Sequence, residues 1–254
     1  MDRALRSLMD WYERVGVDVP ELAPAPPTRR RPPPVKKPTR PSAKPAVKVP
    51  PVKDIDFNRP LARDVAARAK TLDELRSALH NFDAGVLSDG ARQAVFSRGN
   101  PAADLMIIGE APGREEDVQG KPLIGPSGQL LDKMMAAIGL NEENFYITNV
   151  VNWRLPNNRN PKTEEIELCR PFLERHIQLA NPKVLLLIGG VSMTAITGLT
   201  GIMQNHGQWQ DVDIGGKVRP VLPIYHPAFL LRQPALKKDA WRDLLNLRAK
   251  LEAL

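Results

Sequence analysis

The chain has 254 residues, 42 % hydrophobic and 26 % charged, which suffices for one domain with a substantial core. No apolar run approaches the roughly 20 residues needed to span a bilayer, and a single cysteine, Cys169, excludes an internal disulfide framework and any multi-cysteine metal site. The net charge is +7, but residues 20–60 hold ten Lys/Arg against three Asp/Glu, so the excess lies there and the remainder is formally neutral. That stretch, rather than the folded part, speaks for nucleic-acid contact.

In chain order, Met1-Asp2-Arg3-Ala4-Leu5 lacks the apolar core of a signal peptide. Asp2, Asp10 and Glu13 are out of place in an acid-poor transit peptide, so the expected location is the cytoplasm. Within residues 1–19, Leu5, Leu8, Met9, Tyr12 and Val15 recur at helical spacing before Gly16. This amphipathic helix is the candidate surface for a protein partner. Residues 20–60 contain thirteen of the 25 prolines, interleaved with Lys and Arg, and read as a disordered or polyproline-like linker. Residues 61–254 have the composition of a folded domain.

Within that domain the expected strands are Leu105–Ile108, Phe145–Asn149, Val184–Ile188 and Pro220–Ile224. Helical patterns cover Ser127–Ile138, Thr163–Leu179 and about Ala235–Leu251. Strands alternating with helices imply an α/β fold. We expect a three-layer sandwich with a central, mostly parallel four-stranded sheet flanked by helices. Ligands of such sheets bind beyond the carboxyl ends of the strands. The residues following the strands are Gly109-Glu110-Ala111-Pro112-Gly113, then Asn149, then Gly189-Gly190, then His226-Pro227. A carboxylate, an amide, a glycine turn and an imidazole therefore converge along one sheet edge, although each segment alone also serves as an ordinary turn or cap.

Gly109-Glu110-Ala111-Pro112-Gly113, with Glu116-Asp117 and Gln119-Gly120-Lys121-Pro122, resembles the first signature of family 4 uracil-DNA glycosylases. Ile147-Thr148-Asn149-Val150-Val151, Asn158-Arg159-Asn160-Pro161, Cys169-Arg170-Pro171-Phe172-Leu173 and Tyr225-His226-Pro227-Ala228 continue the likeness in order. The resemblance spans about residues 71–250. It implies a monofunctional enzyme, working as a monomer on uracil-containing DNA and without a membrane, that hydrolyses the N-glycosidic bond and leaves an abasic site. Glu110 would orient water or stabilise the oxocarbenium-like sugar. His226 would hydrogen-bond O2 of the departing uracil. Asn149 would read the flipped base through O4 and N3–H, a pattern that cytosine reverses. Gly109, Ala111, Pro112 and Gly113 would shape the base loop, with Gln119 and Leu123 as further substrate contacts. Ser127, Arg159, Leu231 and Arg232 would contact DNA; for Leu230 and Leu231 the alternative is packing at a helix start.

Two departures from the family stand out. Its members usually carry four cysteines holding an iron–sulfur cluster, but residues 81–87 contain none and Trp153 stands where a third is expected. Cys169 alone cannot hold a cluster; its helical register makes it a buried small hydrophobe, and no cofactor is expected. Leu123 stands where the family has a phenylalanine stacking on the base. Such stacking is worth on the order of 1–3 kcal/mol, so a glycosylase preferring another deaminated base is one alternative. A non-cutting uracil- or abasic-DNA binding protein is a second, and a nucleotide-binding α/β enzyme a third, although neither a P-loop nor a dinucleotide fingerprint is present.

Because the positive excess lies in residues 20–60, deleting residues 1–60 should leave a folded core whose non-specific DNA binding is weaker and depends less steeply on salt. Titrations of DNA binding at several salt concentrations check this; an unchanged slope would place the phosphate contacts in the core.

Overall fold

A computed structural model describes residues 59–254. The N-terminal helix and nearly all of the linker expected from the sequence lie outside the described residues. The sheet has six strands, not four: β1 (Arg98–Gly99), β2 (Leu105–Gly109), β3 (Phe145–Asn149), β4 (Val184–Ile188), β5 (Gln210–Ile214) and β6 (Lys217–Ile224), in the order β1-β3-β2-β4-β6-β5. The four expected strands form its parallel centre. The two additional strands pair antiparallel at the edges. Both escaped sequence reading for physical reasons. Two residues of β1 carry no periodicity, and β5 alternates exposed polar with half-buried residues, as suits an edge.

The helices are α1 (Arg59–Arg68), α2 (Leu72–His80), α3 (Val86–Asp89), α4 (Arg114–Gln119), α5 (Pro126–Ala137), α6 (Thr163–Ala180), α7 (Gly189–Thr197), α8 (Ile202–Asn205), α9 (Pro227–Arg232) and α10 (Lys237–Glu252). The last expected helix is split: Pro234–Leu236 forms a separate 3-10 turn before α10. No helix among the described residues is long and apolar enough to cross a membrane.

Strand alternation divides the core into two layers. Leu105, Ile107, Phe145, Ile147, Leu186 and Leu222 face α5 and α10, meeting Leu131, Met134, Leu244 and Leu247. Met106, Ile108, Tyr146, Leu185, Leu187 and Val221 face α1, α2 and α6, meeting Ala66, Leu75, Leu79, Leu168 and Phe172. Every residue of β2, β3 and β4 is buried, as central parallel strands covered on both faces require.

The second layer also contains the positions at which the resemblance leads one to look for cluster ligands. Phe82 packs edge-on against Phe172 at 5.1 Å and lies 6.4 Å from the Trp153 ring. Cys169 is completely buried among these side chains, and burial pushes its thiol up to about 12. Metal ligation needs the thiolate, which this apolar setting disfavours. No group of three or more His, Cys, Asp or Glu among the described residues is arranged to hold a metal ion. The residues present do not fit an iron–sulfur cluster. Elemental analysis of the purified chain should accordingly give no stoichiometric iron, whereas about four irons per chain would reveal unexpected ligands.

Candidate functional site

The loops after β2, β3 and β6 enclose a cleft of about 630 Å³ at the carboxyl edge of the sheet. It is lined by Glu110, Ala111, Pro112, Gly113, Leu123, Ser127, Arg159, His226 and Arg232, all expected from the sequence. Register does the assembling. β2 and β3 run parallel with Gly109 opposite Asn149. The pairing continues beyond the strands as Val150 and Val151 donate their N–H groups to the carbonyls of Gly109 and Glu110, both at 3.0 Å.

Asn149 is 2 % exposed, and neither its Nδ2 nor its Oδ1 has a hydrogen-bond partner. These are the only such buried side-chain atoms among the described residues. Leaving a buried amide unpaired costs about 1–3 kcal/mol per group, so the arrangement is adapted to something other than the empty fold. Gly109 makes room for it: a Cβ there would stand 2.4 Å from Asn149 Oδ1 and 3.2 Å from Leu123 Cδ1. The Asn149 and Leu123 side chains thus both approach the Gly109 α-carbon; Leu123 lines the cleft, whereas the buried Asn149 does not.

Glu110 follows β2 directly. Burial raises its carboxyl above the usual carboxylate range. His226 caps α9, and its Nδ1 accepts the Ala228 N–H at 3.1 Å. An accepting Nδ1 leaves the proton of the neutral ring on Nε2. Burial, then the charge of Arg232, lowers the His226 pKa to about 4. Gly189, at φ +89°, lets the turn after β4 pack against this ring; a Cβ would fall 3.0 Å from His226 Cβ. That close approach explains the glycine turn after β4.

Leu123 occupies the left-handed region at φ +52°, which costs a leucine roughly 1–2 kcal/mol. The following amides of Ile124 and Gly125 donate to Glu116 Oε1 at 3.0 and 2.9 Å. Glu116, in the first turn of α4, is a loop support that motif reading placed in the signature without a role. Its signal was an acidic residue at a helix start, which is too common to interpret alone.

The other expected residues need separate comment. Ser127 sits in the first turn of α5, facing the cleft. The Arg159 guanidinium is committed to both oxygens of Glu165 and to the Asn160 carbonyl, so the charge expected for phosphate contact is already paired. Leu231, 47 % exposed on α9, and Gln119, exposed at the end of α4, do not line the cleft. Arg114 and Arg232 supply exposed cations at the cleft.

The family model described as the uracil DNA glycosylase superfamily matches residues 96–246. A Type-4 uracil-DNA glycosylase of Archaeoglobus fulgidus is 41 % identical over 154 residues, covering 59 % of this chain and 77 % of the relative. The protein of the same description from Pyrobaculum aerophilum is 35 % identical over 178 residues, covering 68 % and 91 %. That of Saccharolobus solfataricus is 36 % identical over 168 residues, covering 64 % and 78 %.

The His226 geometry predicts a ring that stays neutral, with its proton on Nε2, from pH 8 down to nearly pH 4. Histidine ring 15N spectra across that range check this. A midpoint near the ordinary 6.5 would mean the ring is more hydrated than its packing indicates.

Proposed function

This chain belongs to the uracil DNA glycosylase superfamily, and from that premise we propose that its cleft hydrolyses the N-glycosidic bond of uracil in DNA. The observation that carries the reading at residue level is the unpaired amide of Asn149. One donor and one acceptor, buried side by side, complement O4 and N3–H of uracil. Cytosine offers a donor and an acceptor in the opposite places and leaves both pairs frustrated. The target nucleotide must leave the base stack to reach this depth.

Bond cleavage separates charge, positive on the sugar and negative on the departing uracil. His226 Nε2–H donates to O2 as negative charge collects on the base, and a neutral ring suffices because a hydrogen bond, not full proton transfer, is required. Glu110, in its ionised form, faces the sugar side, where it stabilises the cationic centre and orients the water that adds to C1′. The water oxygen becomes the new hydroxyl of the abasic sugar, its proton leaves with the base side or the solvent, and uracil departs.

Residues 61–254 carry this activity, acting as a monomer on cytoplasmic, nucleoid-associated DNA. Residues 20–60 contribute non-specific phosphate attraction, residues 1–19 are available to a protein partner, and no cofactor takes part. Leu123 in place of a stacking ring favours a looser grip on the base, so hypoxanthine and xanthine are the other bases to examine.

Single-turnover excision from oligonucleotides bearing each of these bases tests the reading. Glu110→Ala and Asn149→Ala should each slow uracil excision about 10²–10³-fold without loss of folding. Excision by the parent should rise with pH through the raised pKa of Glu110 and then level off, because only the carboxylate is active. Glu110→Ala should lose that limb. Near-parental cleavage by Glu110→Ala would remove it from catalysis.

A further inference from the structure

Leu123 is held in a backbone conformation that a leucine does not choose, and the holding group is on another element. Arg98 reaches from the edge strand β1 beneath the loop that joins α4 to α5, with its side chain 7 % exposed. Its Nε donates to the Pro122 carbonyl and a terminal nitrogen to the Leu123 carbonyl, both at 2.9 Å. The same terminal nitrogen meets Asp132 Oδ1 at 2.6 Å, and the other meets Glu142 Oε1 at 3.3 Å. Both carboxylates are about half exposed. The cation is therefore neutralised from outside, while its inner side grips two consecutive carbonyls.

From the opposite side, Glu116 takes the next two amides, those of Ile124 and Gly125. Four successive residues thus each have a backbone carbonyl or amide held by a side chain, over three consecutive peptide groups. The Leu123 carbonyl is additionally backed by Gly128, where a Cβ would fall 1.7 Å from its oxygen. A planar fork suits adjacent carbonyls; an ammonium is a single point charge and cannot span them in the same way. These contacts use four of the five N–H groups of Arg98 and engage all three of its nitrogens.

We propose that Arg98 is a positioning residue of the base pocket: by gripping the carbonyls of Pro122 and Leu123 it keeps the Leu123 side chain against Gly109, beside the Asn149 amide that receives the base. The inference rests on the reading of Leu123 and Asn149 as parts of that pocket. Arg98 touches neither base nor sugar, and its influence on the reaction passes through Leu123.

The experiment uses Arg98→Lys, Leu123→Ala and the double variant in the full chain, with two readouts. In methyl-labelled protein, the Leu123 methyl signals are identified by their loss in Leu123→Ala. In Arg98→Lys they should shift or broaden, while those of Leu244 and Leu247 in α10 stay in place. In single-turnover assays Arg98→Lys should slow uracil excision about 10- to 100-fold, the order expected of a displaced contact in a pre-organised site. The double variant should be within about twofold of Leu123→Ala alone, because the side chain through which Arg98 acts is gone. Equal slowing in both backgrounds, or unmoved Leu123 methyls, overturns the proposal. If Arg98→Lys does not fold, Asp132→Asn weakens the same fork from its half-exposed side and should give the same pattern at smaller amplitude. Parent protein that leaves uracil in DNA, or Leu123→Ala that matches the parent, would instead defeat the pocket reading. The methyl spectra would still decide whether Arg98 holds Leu123.

Discussion

The parallel pairing of β2 with β3 is the constraint on which the site depends. It sets Gly109 opposite Asn149, and it continues far enough to fix the backbone carbonyl of Glu110 as well. Side chains alternate between faces, so a slip of one residue would carry Asn149 to the α6 side of the sheet. The apolar residues before it prevent that slip. Phe145 and Ile147 belong to the layer under α5, Tyr146 to the layer under α6, and each would have to exchange one packed environment for the other. The register that places the amide is therefore specified by the core.

The cleft walls are braced mainly by polar side chains that accept backbone amides. Glu116 accepts two amides of the loop after α4. Glu165 binds Arg159 through both oxygens and also accepts the Lys162 amide at the start of α6. His226 accepts the amide of Ala228. Loops that would otherwise have several backbone orientations are thus fixed, and for Glu116 and Glu165 burial is compensated by more than one hydrogen bond. Rigid supports of this kind keep a reactive constellation in place without help from regular secondary structure.

The central strands were legible because runs such as Leu105–Ile108 and Val184–Ile188 are apolar on both faces, and the glycines and polar residues after them marked the sheet edge where a site belongs. Glu110, Asn149 and His226 followed from position and from family likeness together. Other features left little trace. Arg98 lies in a two-residue strand, and its four partners are 24 to 44 residues away in sequence, a distance no local pattern reports. The pairing of Arg159 with Glu165, only six residues apart, makes a cleft-lining cation also a brace. Leu123 was visible as a missing ring but not as a left-handed residue, since leucine carries no preference for that region.

The unpaired amide of Asn149 also bears on what happens after the bond is broken. A protein that carries two unsatisfied polar atoms in its interior is less stable empty than filled, and any small molecule presenting a matching donor and acceptor gains from filling it. Free uracil retains the O4 and N3–H edge that the proposed function assigns to this amide. Under the proposed reading, the pair of atoms that would select the substrate would also favour retention of the product, coupling product release to recognition.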